Sequence, residues 1–117
     1  MQKTPLFKGS CTAIVTPFND RGIDYARLEK NIEYQYENGT AALVVCGTTG
    51  EASTMAEHEQ TAALRAVVEA ARGRAPVLAG VGGNDTKQVI AACRRAAREG
   101  AAGALAVTPY YNKTTQE

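Results

Sequence analysis

LVVCGTTGE, residues Leu43–Glu51, is the stretch on which the fold turns. Four apolar residues, Leu43 to Cys46, give way at once to Gly47-Thr48-Thr49-Gly50-Glu51. A short apolar run that stops in a polar, glycine-rich loop predicts the C-terminal end of a buried parallel strand. The two glycines let the backbone turn tightly and present its N–H groups. With the Thr48 and Thr49 hydroxyls they compose a cradle for a small carboxylate or phosphate. The same spacing also suits a purely structural strand-to-helix turn, and both readings stand. Thr54-Met55-Ala56-Glu57 matches the S/T-x-x-E capping box, so a helix is expected directly after the loop, from about Met55 to Arg72, its N-terminal dipole adding to the pull on an anion.

Outward from this loop, the pattern repeats. CTAIVT at 11–16, the run at 41–46, PVLAG at 76–80 and GALAV at 103–107 read as four buried strands. Asn19-Asp20-Arg21-Gly22 reads as a turn, and Asp24 as the N-cap of a first helix with Leu28, Ile32 and Tyr36 facing inward. Leu64, Val67, Val68 and Ala71 give the second helix its apolar face. Asp85 and Gln88 suggest a box-type cap for a third helix, with Val89, Ile90, Cys93 and Ala97 as its inner stripe. Gly39, Gly73 and Gly100 close the helices, marking a repeat of roughly 30 residues, the size of one βα unit.

The 117 residues carry a net charge of +1 and suit one domain, residues 1–117. Scattered Lys and Arg disfavour a nucleic-acid platform. No run is long enough to span a membrane. MQKTPLFKGS lacks the apolar core of a signal peptide. Cys11, Cys46 and Cys93 lack metal-ligand spacing and read as reduced, buried thiols of a cytoplasmic protein, with no metal or cofactor expected.

Order β-α-β-α-β-α-β admits a (β/α) barrel or a doubly wound open sheet. The dinucleotide fingerprint fails, since Asp85 stands where the third glycine of a G-x-G-x-x-G started at Gly80 belongs. The expected fold class is therefore α/β, with four parallel strands and three helices making about half of a (β/α)8 TIM barrel; that it is the N-terminal half is what the resemblance given below implies. A complete barrel takes about 250 residues. Half of one leaves the inner face of the sheet bare, forfeiting about 1.5–3 kcal/mol for each large apolar side chain, and leaves two open strand edges.

Four motifs carry a resemblance over essentially the whole chain: TAIVTPF from Thr12 to Phe18, GTTGE from Gly47 to Glu51, AGVGGN from Ala79 to Asn84, and VTPYYNK from Val107 to Lys113. In these the chain resembles the N-terminal half of the dihydrodipicolinate synthase (4-hydroxy-tetrahydrodipicolinate synthase) family of pyruvate-dependent class I aldolases. Some sugar-acid aldolases share GTTGE and PYYNK. N-acetylneuraminate lyases more often carry Ser at the position of Thr48. The resemblance implies a barrel that binds pyruvate as a Schiff base and adds a small aldehyde, aspartate semialdehyde, in lysine and diaminopimelate biosynthesis. It implies that Thr49, with the N–H groups of Thr48 and Thr49, binds the pyruvate carboxylate. It also implies that Thr48 and Tyr111 are catalytic members of a proton relay, Tyr111 reaching a neighbouring subunit's site in a homo-oligomer, a dimer or tetramer. A Thr hydroxyl both donates and accepts, and a phenol can pass a proton to a developing alkoxide.

The family's Schiff-base lysine, third relay tyrosine and substrate-binding arginine correspond to positions after Glu117. A lysine nucleophile must be desolvated. Lys30 and Lys87 are expected on helix surfaces, Lys3 and Lys8 before the first strand, and Lys113 in a solvated loop. The 117 residues alone are thus expected to be inactive. Asn84 and Tyr110 match residues lining the family's lysine-effector site. Glu57 and Gln60 stand where sensitive members often carry histidine or aromatic residues, and Gln88 replaces the acid that would pair the effector's amine. His58 and Glu51 read as surface and structural residues. Two further readings are another aldolase of the superfamily and a non-catalytic, self-associating half-barrel that binds small carboxylates.

Overall fold

A computed structural model describes residues 3–111 and 115. Four strands, β1 (Cys11–Ala13), β4 (Ala42–Val45), β5 (Val77–Gly80) and β6 (Gly103–Leu105), form one parallel sheet. A hairpin, β2 (Phe18–Asn19) with β3 (Gly22–Ile23), follows β1. The helices are α1 (Tyr25–Glu37), α2 (Glu57–Ala71) and α3 (Thr86–Arg98). Sheet order follows chain order, β1-β4-β5-β6. Nowhere among these strands does the order reverse, so there is no switch point of the doubly wound kind. In register, Thr12, Leu43 and Val77 share one face, and Ala13, Val44, Leu78 and Gly103 the other.

One face carries all the helices. Ile14, Leu43, Val45, Val77 and Ala79 pack with Leu28 and Ile32 of α1, Leu64, Val67 and Ala71 of α2, and Ala96 of α3. Leu43, Val45, Val67, Leu28 and Ile32 are the largest fully buried side chains. On the opposite face Val15, Leu105 and Val107 are 51%, 53% and 56% exposed. This is the half-barrel expected from the sequence: four parallel strands, helices outside, inner face open.

Local signals placed most element ends. The Asp24 carboxylate accepts from the Arg27 N–H at 3.0 Å, and Asp85 accepts from Lys87 N–H at 2.9 Å. Gly39 at φ +82° ends α1, its N–H donating to the Tyr36 carbonyl. All four strands are shorter than expected, although just beyond β1 the Ile14 N–H still donates to the Val44 carbonyl at 3.0 Å. The expected turn 19–22 is the tip of the β2–β3 hairpin, with Asp20 and Arg21 between paired Asn19 and Gly22.

Two local expectations are corrected. Thr54 does not cap α2. Residues Ala52–Thr54 form a 3-10 turn, the Thr54 hydroxyl donates to the Glu51 carbonyl at 3.0 Å, and α2 starts only at Glu57. The cap residue is Ala56, whose N–H donates to the Glu59 carboxylate at 2.8 Å. Alanine offers no oxygen in return, so only the acidic half of a capping box exists. In α3, Val89 and Cys93 turn inward, but Ile90 is 45% exposed and Ala97 is exposed, while Ala96 is buried. Ile90 and Ala97, seven residues apart, share one exposed flank, while Ala96 joins the core with Leu64 of α2 and Ala79 of β5.

Candidate active site

Three loops leave the C-terminal ends of adjacent parallel strands: residues 46–56 after β4, 81–85 after β5 and 106–111 after β6. They stand on one rim, where (β/α) barrels place their chemistry.

The first loop turns sharply. Cys46 at the end of β4 has φ +58° and Glu51 φ +60°, left-handed values uncommon for non-glycine residues. Gly50 N–H donates to Gly47 O at 3.1 Å, Glu51 N–H to Thr48 O at 3.0 Å and Ala52 N–H to Gly47 O at 3.4 Å. These bonds use the N–H groups of Gly50, Glu51 and Ala52. The N–H groups and hydroxyls of Thr48 and Thr49, both exposed, are left outside the turn's own bonding. The loop is anchored from two sides. Thr16, 4% exposed, donates its hydroxyl to Gly50 O at 2.8 Å. The Gln60 amide donates to Ala52 O at 2.9 Å and Met55 O at 3.2 Å.

Glycine is required where the next loop passes. A Cβ on Gly80 would overlap the Cys46 carbonyl, and one on Gly82 would lie 2.6 Å from the Val107 nitrogen. These close approaches draw the three loops around one groove of about 790 Å³. Thr48, Asn84, Gln88, Glu57, Gln60 and Tyr110 line it, with Arg95 at its side. Arg95 Nη1 pairs with Glu57 Oε1 at 3.1 Å, the Arg95 side chain being only 19% exposed.

Thr48, Asn84 and Tyr110 therefore share one groove. Thr49 and Tyr111 stand on the same rim but outside the groove wall. Tyr111 has φ +62° and a fully exposed ring among the described residues. Lys113 and Asn112 lie outside the described residues. His58 and Glu51 are exposed. The dipole of α2 does not begin beside Thr49, because the 3-10 turn and two extended residues intervene. Burial pushes the Cys46 thiol up to about 11, against the pull of the Arg95 charge, and its Sγ donates to Gln60 O at 3.6 Å. It is a core group, not a nucleophile. Among the described residues, no three His, Cys, Asp or Glu side chains gather for a metal, and no helix is long and apolar enough to cross a membrane.

Sequence reasoning missed Thr16 and Arg95. Gln88, Ala92 and Arg95 recur at i, i+4 and i+7, so Arg95 was findable as the same stripe as Gln88. Thr16 had no local signal, since its partner lies 34 residues away.

The chain matches the model of the Dihydrodipicolinate synthetase family over residues 6–117. The curated 4-hydroxy-tetrahydrodipicolinate synthase of Thermoanaerobacter sp. (strain X514) is 50% identical over 113 residues, 97% of this chain and 38% of the relative. The chain thus spans about 38% of the length of the curated relatives it matches. Dihydrodipicolinate synthase from Thermotoga maritima superposes with a TM-score of 0.92 at 44% identity, over 96% of this chain and 38% of that one. The chloride-inhibited dihydrodipicolinate synthase from Acinetobacter baumannii, solved in complex with pyruvate, gives a TM-score of 0.88 at 47% identity, over 92% of this chain and 38% of that one.

Proposed function

This chain belongs to the dihydrodipicolinate synthetase family, and from that premise we propose that it carries the carboxylate-binding part of a lyase site. In this reading the site condenses pyruvate, held as a Schiff base, with aspartate semialdehyde in lysine and diaminopimelate biosynthesis in the cytoplasm. The observation that carries it is the GTTGE turn: its internal bonds leave two successive N–H groups and two hydroxyls free on the rim. A pyruvate carboxylate takes the Thr48 and Thr49 N–H groups and the Thr49 hydroxyl. Two donors held by a rigid turn bind the anion without reorganising. The Thr48 hydroxyl, at the groove wall, passes a proton between the carbinolamine oxygen and the Tyr111 phenol contributed by the neighbouring subunit. The Tyr111 ring is exposed among the described residues, which suits a side chain that completes a neighbouring subunit's site in a homo-oligomer.

Lys3, Lys8, Lys30 and Lys87 are all exposed. A Schiff-base lysine must be desolvated, and none of these exposed positions provides that. The described residues thus offer carboxylate binding and proton transfer, and the amine comes from elsewhere in the working site. Asn84 and Tyr110 form an effector-facing wall of the groove. There Glu57 is paired with Arg95, Gln88 brings no charge, and the Asp85 carboxylate caps α3 through the Lys87 N–H.

Borohydride trapping with pyruvate tests the reading. The 117-residue chain is expected to give no mass adduct. A chimera in which residues 3–111 replace the matching segment of the Thermotoga maritima enzyme is expected to trap pyruvate and turn over. A lysine adduct on the short chain refutes the division of labour. A folded chimera that cannot bind pyruvate refutes the cradle.

A further inference from the structure

Gln60, the fourth residue of α2, holds the GTTGE turn at both ends. Its side-chain nitrogen donates to the Ala52 carbonyl at 2.9 Å and the Met55 carbonyl at 3.2 Å. Its own backbone carbonyl accepts from the Cys46 thiol at 3.6 Å. Cys46 precedes Gly47 and Ala52 follows Glu51, so the two grips bracket the turn. A primary amide carries two hydrogens on one nitrogen, and here each has its own carbonyl. A carboxylate of the same length would turn lone pairs toward both.

The grip reaches the cradle through planar peptide groups. The Gly47 carbonyl and the Thr48 N–H are opposite ends of one peptide, as are the Thr48 carbonyl and the Thr49 N–H. Ala52 N–H donates to Gly47 O at 3.4 Å, and Glu51 N–H to Thr48 O at 3.0 Å. Glu51 and Ala52 thus hold the two carbonyls, and the carbonyls set where the Thr48 and Thr49 N–H groups point. Ala52 is in turn held by Gln60. We propose that Gln60 is a positioning residue: it aims those two N–H groups at the substrate carboxylate without itself binding it. The proposal rests on the reading of this turn as a pyruvate cradle. Hydrogen bonds weaken steeply with misalignment, so a turn released at Ala52 holds the carboxylate less tightly, and the loss falls on binding.

The chimera that carries residues 3–111 within the Thermotoga maritima enzyme tests it. Gln60→Met keeps the length and removes both donors. It is expected to raise the KM for pyruvate about tenfold and to change kcat by about twofold or less. Gln60→His keeps one donor and is expected to recover part of the loss. Val67→Ala, in the core two turns further along the same helix, is expected to lower the melting temperature at least as far as Gln60→Met while leaving that KM within about twofold. Hydrogen exchange of the Gly50, Glu51 and Ala52 amides is measured alongside. Gln60→Met is expected to speed it about tenfold or more, and Val67→Ala to leave it unchanged. An unchanged KM in folded Gln60→Met overturns the proposal. So do equal rises in KM for Gln60→Met and Val67→Ala. If Gln60→Met fails to fold, Gln60→His is held to the same two measurements, and an unchanged KM with unchanged exchange overturns the proposal. If the parent chimera binds no pyruvate, the cradle reading fails; amide exchange then decides alone, and rates unmoved by Gln60→Met overturn the positioning role.

Discussion

The Thr16 hydroxyl donates to the Gly50 carbonyl at 2.8 Å, joining the end of β1 to the turn that carries Thr48 and Thr49. Both residues are buried. Thr16→Val keeps the shape but leaves a buried carbonyl without a donor. It is expected to destabilise the chain by about 1–3 kcal/mol. Thr16→Ser retains the hydroxyl and is expected to recover most of that loss. Denaturant midpoints measure both.

Removing the Thr48 hydroxyl is a test of chemistry rather than folding, since the residue is exposed. In the Thermotoga maritima chimera, Thr48→Val is expected to lower kcat about 10²–10⁴-fold, the range for loss of positioned proton transfer, with thermal stability little changed. Thr49→Val is expected to act mainly on the KM for pyruvate. Equal effects of the two variants on KM alone would deny Thr48 a role in proton transfer.

Gly82 packs against Val107, in the loop after β6, with no room for a side chain. Gly82→Ala puts a methyl group 2.6 Å from the Val107 nitrogen. The strand end or the loop must shift, at about 1–3 kcal/mol. A melting temperature equal to that of the parent chain would show that the loop yields freely.

Cys46 is buried, and its thiol is raised to about 11. At pH 8 its thiolate fraction in the folded chain is roughly one in a thousand. Iodoacetamide is expected to spare Cys46 in the native chain and to label it in urea, as read by peptide mass spectrometry. The unfolded thiol ionises first, so this group favours the folded chain fully below about pH 8.5 and progressively less as pH rises toward 11. Fast native labelling at pH 8 contradicts the burial.

Acid should weaken the chain through two outer pairs. Arg74 holds the Glu33 carboxyl below its ordinary range by a forked hydrogen bond at 2.6 and 2.8 Å, and Arg65 does the same for Glu99 at 2.8 and 3.1 Å. Both carboxyls bind protons more readily when unfolded. Their stabilisation is therefore present above the unfolded value, near pH 4.5, and is lost as pH falls through the lower folded value. Glu33→Gln with Glu99→Gln is expected to flatten the acid limb of a stability–pH curve, and salt to shrink the difference because both arginines are solvent-exposed.

Within the chain, what could be read in one dimension was whatever depends on near neighbours. Leu43–Cys46 before Gly47, the Asp24 and Asp85 caps and the 3.6-residue stripes of α1 and α2 report a strand, a turn and two helix faces, because backbone hydrogen bonding and side-chain alternation act over a few residues. From them came the βα repeat, the half-barrel and the rim holding Thr48, Thr49 and Tyr111. Tertiary structure decided the rest. It moved the start of α2 from Met55 to Glu57, because Thr54 spends its hydroxyl on the Glu51 carbonyl. It rolled α3 so that Ala96, not Ala97, faces inward, because α3 packs against α2 and β6. It tied Gly50 to Thr16 and Glu57 to Arg95 across 34 and 38 residues. Such contacts depend on how layers stack, and no local spacing encodes the distance between two loops that meet only when the sheet curves.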